Sequence, residues 1–303
     1  MAHAPHSRTS AEDIHERIPE VVISQKDELL VDEAALESFP ASDVPSWTPT
    51  HAGAPCPVPP KSETPHEVRA RLRRDVESLG LGYGKHREAA DYVANGFLAA
   101  DRSVTRIPVH AMRDLEDLEV VIAGEQGGAE LVVGSRYDGD DATGIAVLLS
   151  LARLFSGRRF AHTVRLVGFA GRAVGSHAYA KRLRDHGTRL RGMFDLEALG
   201  GRGRGIEIVG NVRSRALLGY AGEAFRKGTD RDVRVITVPG FLPFAASPDQ
   251  RSFWREGWPA VTVTAGRSVR DRSFDYDAMG DVVFGMASVV ALIAGGEAER
   301  REP

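Results

Sequence analysis

Between an apolar run of strand character and one of helix character, the chain reads Gly134-Ser135-Arg136-Tyr137-Asp138-Gly139-Asp140-Asp141-Ala142-Thr143-Gly144. A histidine at the third position would make this a zinc ligand, a turn and a second ligand, because zinc takes imidazole and carboxylate donors. Arg136 stands there instead. Its guanidinium stays charged and meets carboxylates through a planar fork of N–H donors, so it cannot itself be a metal ligand. A second arginine, Arg172, lies in the glycine-rich stretch Gly168 to Ser176, and further acids occur at Glu197 and Asp249. What these groups do depends on whether the fold brings them together.

The elements that must position them read clearly from residue 64 onward. Two segments, 65–80 and 86–100, place apolar residues at three-to-four spacing and predict amphipathic helices. Short apolar strands then alternate with helices: strands at 118–124, 130–135, 162–170, 191–199, 205–210, 232–238 and 258–264, helices at 143–155, 176–187, 213–228, 247–257 and 276–295. Strands separated by helices of this length imply a mostly parallel mixed sheet with helices on both faces, an α/β three-layer sandwich. In such sheets the loops at the carboxyl ends of strands carry the chemistry. They are the stretch at 134–144, the turn at 168–176, Phe194 to Gly201, and the segment following Thr264.

In that order the loops resemble the motifs of the dizinc aminopeptidase family, peptidase family M28, which includes bacterial leucyl aminopeptidases, aminopeptidase Y and the glutaminyl cyclases. The likeness covers about residues 66 to 295. The family's His-x-Asp is matched by Arg136-Tyr137-Asp138, and its Asp-Asn-x-Ser-Gly by Asp140-Asp141-Ala142-Thr143-Gly144. Asp140 thus takes the position of the metal-bridging aspartate, and Asp138 that of a carboxylate behind the ligands. Arg172 and Ala173 stand where the resemblance places the general-base and zinc-ligating glutamates. Glu197 takes an acidic ligand position, and Asp249 falls in the match to a Ser-Asp-His-x-x-Phe helix. The closing Tyr-His-Thr motif has no counterpart after Thr264. Shifting the register does not restore the missing groups: no histidine follows His186, and no glutamate lies between Glu130 and Glu197.

Asp140 and Glu197 are therefore the residual metal positions, and two carboxylates cannot hold two zinc ions that each need about three protein ligands. Without metal, nothing lowers the pKa of an attacking water. The expectation is a catalytically silent member of the family, with no cofactor and no catalytic residue. Its cleft, formed by Arg136, Asp138, Asp140, Arg172, Ala173, Glu197 and Asp249, would bind a peptide or a small acidic ligand. Arg136 and Arg172 would neutralise Asp140 and Glu197. The alternative is a residual or partner-assisted metal-dependent hydrolase that uses zinc. A third reading takes the turn at 168–176 as a nucleotide-phosphate loop, but Gly168, Gly171 and Gly175 do not fit Gly-x-Gly-x-x-Gly.

Bland readings stand beside these. Asp138 can simply shape its turn, and Asp249 can serve the start of its own helix. Ser176 and His177 are adjacent on a helix and face different ways, so they do not form a catalytic pair. His110, His162 and His186 lie near element ends and read as surface or capping groups.

Composition limits the rest. The net charge of -3 and pI near 6.4 provide no field for nucleic acid. No apolar run is expected to reach the length of a membrane span. The single cysteine, Cys56, excludes an intrachain disulfide and a thiolate zinc cluster. A cytoplasmic protein is expected. Ten of the 16 prolines fall in the first 65 residues, which predicts a disordered arm over 1–63, an α/β domain over 64–297 and a tail over 298–303. The oligomeric state has no signature in the sequence.

Overall fold

The computed structural model describes residues 64–80, 86–109, 114–202, 205–240, 246–266 and 273–295. The expected arm and tail, with Cys56 and His110, lie outside the described residues.

Seven α-helices and eight strands occur among the described residues. The helices are α1 (Pro65–Leu79), α2 (His86–Leu98), α3 (Thr143–Leu154), α4 (Val174–Asp185), α5 (Arg215–Gly228), α6 (Pro248–Arg255) and α7 (Tyr276–Ala294). The strands are β1 (Thr105–Pro108), β2 (Glu116–Ile122), β3 (Glu130–Arg136), β4 (Val164–Phe169), β5 (Leu190–Leu196), β6 (Ile206–Gly210), β7 (Val233–Thr237) and β8 (Ala260–Thr264). They form one sheet in the order β1-β2-β4-β3-β5-β8-β6-β7. The four central strands, β4, β3, β5 and β8, run parallel. β2 joins β4 antiparallel on one side, and β6 joins β8 antiparallel on the other. The parallel part is the part buried on both faces, as its helix crossovers require.

Alternation along the strands sorts two cores. Leu131 and Val133 join the larger one with side chains of α1, α2, α3, α5 and α7. Val132, Val167, Met193 and Ala260 face the other way, against Tyr179 and Leu183 of α4 and Phe253 of α6. The second face is the one that builds the site, because Arg136 and Asp195 share the parity of Val132 and Met193.

One strand, β1, has no counterpart in the expected set. It has four residues, ends in Pro108, is largely exposed and pairs only with β2. A short edge strand with proline carries no apolar alternation to read. The expectation about membrane-length runs is also corrected. Helix α7 has 19 residues and is long and apolar enough to cross a membrane, yet 67% of its apolar window is buried inside the protein. A helix covered by α1, α3 and α5 is apolar on most of its circumference for that reason.

Helix α1 starts on a capping box. Glu67 N donates to Thr64 Oγ1 at 3.3 Å, and Thr64 N donates to Glu67 Oε2 at 2.7 Å, with Pro65 in the first turn. Thr64→Ala is expected to lower the unfolding free energy by about 1 kcal/mol, read from the urea midpoint at constant m-value.

Candidate functional site

The carboxyl ends of β3, β4, β5 and β8 converge, and the loops that leave them meet the start of α6. After Arg136 the chain turns within six residues into α3. Asp141 Oδ1 accepts from Thr143 N at 2.9 Å and from the Thr143 hydroxyl. Thr143 Oγ1 accepts in turn from Leu199 N at 2.9 Å. Asp141 thus closes the first turn of α3 and ties it to the loop after β5. Arg136 lies across Gly139, where a Cβ would fall 2.5 Å from the guanidinium, so only glycine leaves it this path.

The turn between β4 and α4 has an unusual backbone. Gly171, Arg172 and Ala173 have φ of 68°, 43° and 67° in succession, two of them non-glycine residues in the left-handed region. Consecutive amides in such a turn form a concave donor surface that attracts anions. Here the anions are carboxylates of the protein itself. Ala170 N donates to Asp117 Oδ1 at 2.9 Å, Gly171 N to Asp138 Oδ2 at 2.7 Å, and the Ala173 amide to Asp249. The place a nucleotide phosphate would need is therefore taken by three acids.

Asp249 is buried and also accepts from Ser176 Oγ at 2.6 Å, while Ser176 Oγ lies 3.0 Å from Ser252 Oγ. The start of α6 is capped by Ser247, whose Oγ accepts from Asp249 N at 3.2 Å. The Asp249 side chain therefore reaches across to the turn and α4 rather than capping its own helix. Asp195, fully buried at the end of β5, accepts from Thr262 Oγ1 at 3.3 Å and from Ser247. Burial holds the Asp195 carboxyl well above the usual carboxylate range, with further upward pressure from Asp249 and Glu197. Burial likewise raises Asp249, against the lowering effect of Ser176 and Arg136. Asp117 is pushed up to about 7, by burial first and then by Asp249, Asp138 and Glu119.

Most of the residues singled out from the sequence stand close together. Arg136 Nη2 is 3.5 Å from Asp140 Oδ1. Arg136, Glu197 and Asp249 line one tight cleft with Ser135, Asp141 and Asp195. The space within it open to the centre of a water molecule is only about 10 Å³, room for about one water. Asp138 is buried beside the cleft and bonds His86 Nδ1 at 3.0 Å in addition to Gly171. Ala173 contributes its amide. Arg172 differs from expectation: it is exposed and makes no ion pair with Glu197, because the left-handed turn directs it away. Arg136 is the arginine placed among the acids.

Four residues of the site were not in the expected set: Asp117, Asp195, Ser176 as a partner of Asp249, and His86. Of these, Asp195 carries a readable signal, a lone acid between Phe194 and Leu196 inside an apolar strand, where burial demands partners. The remaining histidines follow the expectation where they are described. His162 Nδ1 meets Gly127 O at 2.8 Å, and His186 Nδ1 meets Arg182 O at 2.6 Å.

Zinc, which the sequence resemblance implies, can be tested against the donor set. Among the described residues no three His, Cys, Asp or Glu side chains converge so as to hold a metal ion. The cation among the acids is Arg136, within 3.5 Å of Asp140. These residues do not fit a dizinc centre.

A mixed eight-stranded sheet between two helical layers, with its polar loops at the carboxyl ends of the parallel strands, is the fold of the zinc aminopeptidases. LapB of Legionella pneumophila matches it with a TM-score of 0.66 at 13% identity, over 91% of this chain and 84% of that one. The LapA aminopeptidase of the same organism matches with a TM-score of 0.61 at 14% identity, over 78% of this chain and 77% of its own. A leucine aminopeptidase precursor of Bacteroides thetaiotaomicron gives 0.57 at 12% identity, over 75% of this chain and 96% of its own. Residues 138–284 match the model of peptidase family M28. A curated relative, the uncharacterized protein YfbL of Escherichia coli K12, is 21% identical over 77% of this chain and 90% of its own length.

Proposed function

We propose that this chain is a catalytically silent member of the M28 family, a cytoplasmic binding or regulatory protein that needs no metal cofactor. The observation that carries the reading is Arg136. A fixed cation stands 3.5 Å from Asp140 and acts on Asp249, at the strand end where the resemblance calls for a zinc-binding histidine. A guanidinium supplies the charge that buried carboxylates require, but it offers no open coordination position and cannot activate water. The tightness of the cleft also supports a site that no longer takes a peptide end.

The alternative, a residual or partner-assisted metallohydrolase, draws on His86, an imidazole 3.0 Å from Asp138 that the family motifs do not supply. Elemental analysis of the purified chain, with an aminopeptidase assay in added zinc or cobalt, separates the two readings. The silent reading expects substoichiometric metal and no turnover sensitive to chelators. Stoichiometric zinc, or activity that a chelator abolishes, would overturn it. The double variant Arg136→His with Ala173→Glu is expected to gain measurable zinc affinity by calorimetry, since it removes the competing cation and adds two donors.

A further inference from the structure

We infer that a second pocket, between α1 and the start of α7, binds a small organic anion consisting of a planar ring that carries a carboxylate or phosphate. The pocket has a volume of about 700 Å³ and shares no lining residue with the tight cleft. That volume lies in the range of small-molecule sites. The inference goes beyond the silent reading and stands whether or not the cleft turns over substrate.

Charge identifies the ligand's sign. One face of α1 brings His66, Arg69 and Arg73 to the pocket at helical spacing, and Arg202 comes from the loop after β5. The two acids at the wall are already engaged. Asp277 pairs with Arg69. Asp275 accepts from Ala278 N at 2.9 Å as the cap of α7 and pairs with Arg231 at 3.2 Å. Arg73 and Arg202 are exposed and have no ion pair with a described residue. Among the described residues, two guanidinium groups thus face the pocket with no paired acid, the arrangement that favours a carboxylate or phosphate.

Aromatic geometry identifies the rest. The Arg73 guanidinium lies over the Tyr276 ring, 5.1 Å from its centroid, which leaves its N–H edge free to meet an oxyanion. Phe274 stands edge-on to Tyr276, with ring centroids 6.1 Å apart. With Tyr276 covered by Arg73, Phe274 supplies an apolar wall beside the cations, suited to a planar ring. An oxyanion alone would use the arginines and leave that wall in water.

Isothermal titration of the full chain with four probes tests this: benzoate, adenosine monophosphate, inorganic phosphate and adenosine. Benzoate or adenosine monophosphate is expected to bind at least about tenfold more tightly than inorganic phosphate, with no measurable heat from uncharged adenosine. Preference between the two ring-bearing anions distinguishes carboxylate from phosphate. Arg73→Gln and Arg202→Gln are each expected to weaken binding by about tenfold without moving the Tm of the unliganded protein, whereas Arg159→Gln, exposed elsewhere, leaves it unchanged. Saturation transfer from the unaltered protein to the ligand's ring protons gives a readout independent of any variant. No binding of either ring-bearing anion, equal affinity for inorganic phosphate, affinity that survives both arginine changes, or no transfer to the ring would each overturn the assignment.

Discussion

Gly144→Ala lowers the unfolding free energy by about 3 kcal/mol, the upper part of the range for overpacking a close contact. A Cβ at position 144 would lie 2.0 Å from Leu196 O and 2.4 Å from Ser135 Oγ. The first of these is backbone at the carboxyl end of a central strand, so it cannot swing aside as a flexible side chain would. It is also an acceptor, since Ser135 Oγ donates to Leu196 O at 2.9 Å, and moving it would unsettle a buried hydrogen bond. The close approach follows from the short loop. Six residues carry the chain from Arg136 to Thr143, so α3 must begin directly against the ends of β3 and β5. Chemical denaturation at constant m-value checks the figure, and a loss below about 0.5 kcal/mol, typical of surface changes, would mean that the helix start can shift. The neighbouring Thr143→Ala is expected to cost less, because it deletes contacts to Asp141 and Leu199 without forcing atoms into occupied space.

Much of this fold was legible in the sequence for a physical reason. The crossover helices α3 to α6, the strands they join and the closing helix α7 are long enough to express their periods, and their apolar runs are bounded by turns rich in glycine and polar residues. β1 was not legible, because an exposed edge strand needs neither alternation nor apolar side chains. The site divided in the same way. Arg136, Asp140, Glu197 and Asp249 follow strands or open helices, so topology alone assigns them to one end of the sheet. The direction of Arg172 could not be read, since it depends on three consecutive left-handed residues, of which only Gly171 announces itself. His86 meets Asp138 across 52 residues of sequence from a separate helix, and no local spacing encodes such a meeting. Asp117 was hidden for another reason. It is the second residue of β2, between Glu116 and Leu118, where an acid looks like an ordinary polar strand end, although the fold buries it beneath the β4–α4 turn.

The burial of Asp117 has a consequence that titration can measure. Its carboxyl is raised from the ordinary 3.8 to about 7, so the folded chain keeps this proton over a range in which the unfolded chain has released it. A folded state that binds more protons loses stability as pH rises. Its contribution is therefore present in full below about pH 4, declines between about 4 and 7, and is gone above that, a span worth up to about 4 kcal/mol. The raised Asp195 and Asp249 carboxyls tilt the profile the same way, so the variant must isolate one group. Asp117→Asn preserves an oxygen to accept from Ala170 N, which now lies 2.9 Å from Asp117 Oδ1, and removes the titration. Guanidinium unfolding at intervals from pH 4.5 to 8.5 should show the variant losing close to one proton's worth of slope, and gaining on the parent protein as pH rises. Parallel profiles for the two proteins would show that Asp117 ionises as freely folded as unfolded. The same comparison bears on the cleft. Asp117 is raised partly by Asp249 and Asp138, and among the described residues Arg136 faces acids there that accept hydrogen bonds from the β4–α4 turn, Ser176 and Thr262. A site that had kept two divalent ions would hold these carboxylates ionised and would have no proton to lose in this range.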